Sequence, residues 1–120
     1  MAGSLTTHVL DTAQGRPAAD LAIEVWRLDA TGEGRTLVKT AHTNANGRTD
    51  RPLLRGDELE IGIYELIFAV GAYFAAQAIA TSCPPFLDRV PVRFGVADPA
   101  GHYHVPLLVS PWAYSTYRGS

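Results

Sequence analysis

Four histidines are the side chains best suited to chemistry near neutral pH, because an unperturbed imidazole titrates at roughly 6.5 and serves as acid or base. His102 and His104 stand two apart in a run of strand length and so project from one face, together with Pro106 and Leu108. His8 lies in Leu5-Thr6-Thr7-His8-Val9-Leu10, in phase with Leu10, and His42 ends a strand beside a turn. Arg48 follows Asn46-Gly47, which sets a planar, permanently charged donor fork at a loop tip. A polar run that includes Tyr117, Arg118, Gly119 and Ser120 follows an aromatic strand. Spacing permits an inorganic reading, a zinc site of His8, His102 and His104 with a fourth position open to water, although no acidic partner for the ligands is evident. No Gly-x-Ser-x-Gly elbow, Ser-His-Asp order or phosphate-cradling glycine loop occurs. A lone Cys83 excludes an internal disulfide and zinc sites of the Cys-x-x-Cys type.

These groups must be positioned by a small domain. The 120 residues carry ten Lys+Arg and twelve Asp+Glu, a net charge of −2 with histidine neutral, and 47% are hydrophobic. A single domain over residues 1–120 is expected, burying roughly two-thirds of its unfolded surface without staples. The near-neutral balance argues against a nucleic-acid partner, which calls for a concentrated basic face. The longest apolar stretch, Ile61 to Ala80, is interrupted by Glu65 and Gln77, so no membrane span is expected. Residues 1–10 reach Asp11 without a basic and then apolar leader, which makes the cytoplasm the default compartment.

Turn signals recur at short intervals, among them Gly15-Arg16-Pro17, Asn44-Ala45-Asn46-Gly47, Arg55-Gly56-Asp57 and Asp98-Pro99-Ala100-Gly101. Between them lie about eight runs of strand length, the spacing of an all-β sandwich. They are Leu5 to Asp11, Ile23 to Asp29, Thr36 to Thr43, Asp50 to Leu53, Gly62 to Val70, Val90 to Val96, His102 to Val109 and Ala113 to Tyr117. Gly71 to Ala80 is alanine-rich and predicts one short helix. Gly62 to Val70 is apolar on both faces, so its second face is expected to meet the helix or another subunit. Trp112, Tyr114 and Tyr117 supply more aromatic surface than one small core needs. Pro106 removes a ladder donor and predicts a local irregularity in its strand.

The run Leu5-Thr6-Thr7-His8-Val9-Leu10-Asp11-Thr12-Ala13, then Gly15-Arg16-Pro17-Ala18, Asn46-Gly47-Arg48, His102-Tyr103-His104-Val105-Pro106-Leu107-Leu108-Val109-Ser110-Pro111 and Tyr117-Arg118-Gly119-Ser120 closely resemble the transthyretin-like 5-hydroxyisourate hydrolases. The resemblance spans essentially the whole chain. It implies a transthyretin-like, two-sheet, eight-stranded β-sandwich with one short α-helix, assembled as a homotetramer, a dimer of dimers around a central channel. It implies hydrolysis of 5-hydroxyisourate to 2-oxo-4-hydroxy-4-carboxy-5-ureidoimidazoline in urate degradation, with no metal or organic cofactor. By the same resemblance His8, Arg48 and His104 are the catalytic set, and Tyr117, Arg118, Gly119 and Ser120 meet the substrate. His102 is given at most a supporting role. The alternative within the fold is a non-catalytic, thyroid-hormone-type carrier. The carriers have lysine, glutamate and threonine at the positions of His8, Arg48 and His104, and this chain keeps the hydrolase residues.

Overall fold

The computed structural model describes residues 2–120. Its strands are β1 (Ser4–Thr6), β2 (Val9–Asp11), β3 (Arg16–Pro17), β4 (Ala22–Leu28), β5 (Arg35–His42), β6 (Leu54–Arg55), β7 (Gly62–Phe68), β8 (Val90–Val96), β9 (His102–His104), β10 (Leu107–Val109) and β11 (Tyr114–Thr116). One α-helix, α1 (Val70–Ala76), follows β7. The expected sandwich is present, and two of its eight strands are each cut in half. Leu5 to Asp11 forms β1 and β2, His102 to Val109 forms β9 and β10, and β3 is a two-residue addition.

One layer is a continuous antiparallel sheet in the order β5-β4-β7-β8. Its register runs unbroken from Gly62↔Val96 to Phe68↔Val90 between β7 and β8, with one bulge, at Val25/Trp26, between β4 and β5. Alternation places Ile23, Val25, Tyr64, Leu66, Phe68, Val90 and Val92 in the core, all no more than 9% exposed. On the opposite face of β7, Ile67 is buried and charged side chains gather around Glu65. Buried Glu65 accepts from Arg35 Nη1 at 3.3 Å and from Arg93 Nε at 3.1 Å, while Ile63 stays exposed.

The facing layer is divided, β6-β1-β9 at one end and β11-β10-β2-β3 at the other. Leu5, Val9, Leu107 and Val109 from it join the continuous sheet's side chains in one core cluster. The strand expected over Asp50 to Leu53 forms instead at Leu54–Arg55. Pro52 has no N–H to donate, so pairing starts only at Leu53, whose N–H donates to Leu5 O at 2.8 Å.

The helix is shorter than the alanine run suggests. Ala78 adopts φ 56°, Ile79 N–H donates to Phe74 O at 3.3 Å and Ala78 N–H to Ala75 O at 3.1 Å, the double bond of a Schellman stop. Tyr73 ties α1 to the divided sheet, its hydroxyl donating to buried Asp11 Oδ2 at 2.8 Å. Burial and the Asp11 carboxylate push that phenol up to about 12. Among the described residues no helix is long and apolar enough to cross a membrane.

Candidate active site

The two breaks in the divided sheet lie side by side. β1 pairs in parallel with β9 and β2 with β10, with Thr6 opposite His104 before the gap and Val9 opposite Leu107 after it. Thr7-His8 on one strand therefore faces Val105-Pro106 on the other. Pro106 cannot donate, and the backbone bonds that remain flank it: Val105 N–H to Thr6 O at 2.9 Å and Leu107 N–H to His8 O at 2.9 Å. Thr7 turns inward, 2% exposed, and its hydroxyl donates to Val105 O at 2.7 Å, so the gap carries its own lock. The irregularity expected at Pro106 is thus a paired interruption of both strands.

Alternation sends Leu5, Thr7 and Val9 inward and leaves Thr6 and His8 half-buried on the other face, which His104 shares through its pairing with Thr6. His104 is held from two sides. Its Nδ1 lies 2.8 Å from Thr6 Oγ1, and its backbone carbonyl accepts from Gly119 N–H at 2.8 Å. A Cβ on Gly119 would stand 2.5 Å from His104 Cδ2, so the tail backbone lies directly on that edge of the ring.

The turn carrying Arg48 is built by Asn44. Its side-chain oxygen accepts from Asn46 N–H at 2.9 Å and Arg48 N–H at 3.3 Å, and Gly47 takes φ +75°. Gly47 O accepts from Val9 N–H at 2.8 Å, and any Cβ at Gly47 would meet Val9 O at 2.4 Å and His8 Cδ2 at 3.3 Å. The glycine is needed both for its backbone angle and for this close approach. The turn thereby docks against His8 and brings the Arg48 charge within electrostatic reach of both imidazoles.

The electrostatics record that meeting. Burial, then the Arg48 guanidinium, hold His8 below the ordinary histidine value, opposed by a hydrogen bond to the Asn46 backbone. Burial, then Arg48, then His8 lower His104. Both rings are therefore neutral at pH 7 and able to accept a proton, beside a cation suited to anionic oxygens. Arg48 makes no ion pair among the described residues. A groove lined by Thr6, Thr7, Arg48, Thr49, Asp50, Arg51 and Pro52 adjoins the site.

The tail residues divide in their placement. Gly119 abuts His104, and Tyr117 and Ser120 are exposed. Arg118 is turned to other work, with Nη2 donating to His102 O at 3.0 Å and the guanidinium 4.3 Å from the Tyr103 ring centroid. His102 hydrogen bonds Ser4 Oγ. Among the described residues no three His, Cys, Asp or Glu side chains are grouped as ligands, so the three-histidine arrangement is not formed within the chain. Thr6, Thr7 and Asn44 carry structural parts of the site that sequence reading left without a role. Only Asn44 had a signal, its place at the head of an Asn-x-Asn-Gly turn.

A family model described as the HIUase/Transthyretin family matches residues 5–119. A protein named 5-hydroxyisourate hydrolase 2 from Rhizobium meliloti is 55% identical, over 98% of this chain and 97% of its own. The crystal structure of an (S)-allantoin synthase superposes with a TM-score of 0.92 at 50% identity, over 99% of this chain, which spans only 44% of that longer one. Sea bream transthyretin in complex with thyroxine superposes with a TM-score of 0.85 at 33% identity, over 97% of this chain and 94% of its own.

Proposed function

This chain belongs to the HIUase/Transthyretin family, and from that premise we propose that it hydrolyses 5-hydroxyisourate at the break in its divided sheet. The carrying observation is the gathering of His8 and His104 on one face at the break, with the Arg48 turn docked against His8 and its charge lowering both imidazoles. Opening the six-membered ring requires water to add to a ring carbonyl, the C–N bond to break, and the departing nitrogen to take a proton. His104 takes a proton from the attacking water as its oxygen bonds to carbon, and returns it to the departing nitrogen. His8 orients the water. Arg48 holds substrate oxygens through its donor fork and stabilises the negative charge that grows on the attacked carbonyl. The product is 2-oxo-4-hydroxy-4-carboxy-5-ureidoimidazoline.

In this reading Gly119, Ser120 and Tyr117 border the substrate, and Arg118 clamps the tail that carries them. The assembly is a homotetramer, a dimer of dimers with the histidine face turned to a central channel. Exposed Trp112, Tyr114 and Tyr117, at 62%, 44% and 61%, support an association surface on this part of the chain. The carrier reading has in its favour the likeness to the thyroxine-bound transthyretin. The higher identity to the hydrolase and the His8, Arg48 and His104 group favour catalysis.

The test generates 5-hydroxyisourate in situ with urate oxidase and follows its ultraviolet decay. Wild-type protein, with or without chelator, is expected to accelerate decay, and His104→Ala to lose the effect. No acceleration by correctly assembled wild-type protein would end the hydrolase reading and turn attention to ligand binding.

A further inference from the structure

The contact between Thr6 and His104 has chemical content beyond packing. The ring has Nδ1 on Thr6 Oγ1 at 2.8 Å and Cδ2 against the Gly119 backbone, which leaves Nε2 as the ring nitrogen open to chemistry. Whether that nitrogen carries a lone pair or a proton in the neutral ring depends on the direction of the hydrogen bond at the other one.

We propose that Thr6 is a positioning residue for the hydrolysis: its hydroxyl oxygen accepts a hydrogen bond from His104 Nδ1–H and so keeps the neutral ring in the tautomer whose lone pair sits on Nε2. Two considerations fix this direction. An accepting Oγ1 satisfies Nδ1–H equally when the ring is neutral and when it is an imidazolium, so Nε2 gains and loses a proton with no rearrangement around it. A donating hydroxyl would place the hydrogen on Nε2, and would oppose the imidazolium once formed. Thr6 is half-buried on the exposed side of its strand, so its own hydroxyl hydrogen can be met by solvent. A threonine oxygen also orients the ring without the charge of a carboxylate, which would raise the imidazole's affinity for protons. Burial and Arg48 keep His104 neutral, and a neutral partner leaves that effect in place.

The placement is set by topology. Thr6 and His104 are directly opposite in the parallel β1–β9 pairing, and the same register puts Ser4 opposite His102, with a second hydroxyl–imidazole bond. The second pair lies outside the proposed chemistry and serves as a control.

The inference rests on His104 being the base, and its test separates the two claims. Nitrogen-15 NMR of histidine-labelled protein above the ring's titration is expected to show His104 protonated on Nδ1 and bare on Nε2. Thr6→Val is expected to shift the ring toward the mixture of an unconstrained imidazole and to lower kcat roughly ten- to a hundredfold, as loss of a ring-orienting partner does elsewhere. KM is expected to change by less than about threefold, since ground-state binding is untouched. Thr6→Ser is expected to restore tautomer and turnover, and Ser4→Ala to leave turnover unchanged. Wild-type His104 protonated on Nε2 overturns the proposal whether or not the valine variant folds. So does a folded Thr6→Val protein with wild-type tautomer and kcat. If instead His104→Ala keeps full turnover while the NMR result holds, the orientation by Thr6 stands and the assignment of His104 as base falls.

Discussion

The two sheets of this sandwich treat the same material in opposite ways. The continuous sheet runs each central strand against its edge strand in seven pairs, fills one face with core side chains and pairs charges on the other. The divided sheet buries Leu5, Val9, Leu107 and Val109 as completely, yet gives up ladder pairing at Thr7-His8 and Val105-Pro106. The candidate catalytic groups gather beside the gap and not along the regular strands. A regular ladder uses its backbone groups on itself. An interrupted one leaves backbone groups free, and a turn and a tail approach them: Gly47 O accepts from Val9 N–H and Gly119 N–H donates to His104 O. Both sheets feed one core, but the candidate catalytic groups lie only beside the gap, so substitutions in the core of the continuous sheet and substitutions beside the gap should separate stability from chemistry.

The largest effects should be reciprocal. Phe68→Ala, at a position 0% exposed in the continuous sheet, is expected to cost about 3–5 kcal/mol of stability, read from denaturant midpoints. The protein that stays folded should turn over normally. His8→Ala is expected to lower kcat/KM by roughly a hundredfold or more while moving the unfolding midpoint little. A Phe68→Ala enzyme with impaired kcat, or a His8→Ala protein that melts early, would show that the two sheets do not divide the labour in this way.

Periodicity revealed the continuous sheet and concealed the divided one. Ile23/Val25 and Val90/Val92 alternate as strands and became strands. The alternation Leu5, Thr7, Val9 inward runs straight through the break, so the sequence reads as one strand where the chain forms two, and only Pro106 marked the irregularity. The helix was visible in composition, but its end was set by Ala78 in a backbone conformation that alanine rarely takes. The turn bearing Arg48 was legible from Asn46-Gly47 because its chemistry is local. The Thr6 contact joins residues 98 apart through a parallel register, and no local pattern encodes a register between distant strands.

Glycine sharpens the contrast. A Cβ on Gly95 in β8 would meet only Ile63 Cδ1, at 3.5 Å, so Gly95→Ala is expected to be neutral or to stabilise by about 0.5–1 kcal/mol. A Cβ on Gly119 would press on a ring held by Thr6, and the tail must lift or the imidazole turn. Gly119→Ala is expected to cost roughly ten- to a hundredfold in kcat with little change in stability, because misplacement of about 1 Å suffices. Equal tolerance at both positions, measured by turnover and melting, would mean that the tail's approach to His104 is incidental.

The smallest expected effect is electrostatic, and its sign is fixed. Burial and Arg48 hold His104 below its ordinary value, so the acid limb of kcat/KM should have its midpoint below about 6.5. Arg48→Gln removes the second cause and keeps the first. The His104 titration, followed by NMR, should therefore move upward while remaining below the free-histidine value. Stability follows the same linkage. An unfolded chain protonates these rings at a higher pH than the folded one, so between the two values the unfolded state holds more protons, and stability falls as the pH drops through that window. The continuous sheet has no histidine in β4, β7 or β8, and Phe68→Ala should leave this pH dependence unaltered. A titration midpoint above the free-histidine value, or one indifferent to Arg48→Gln, would detach the guanidinium from the histidine pair and with it the electrostatic half of the site.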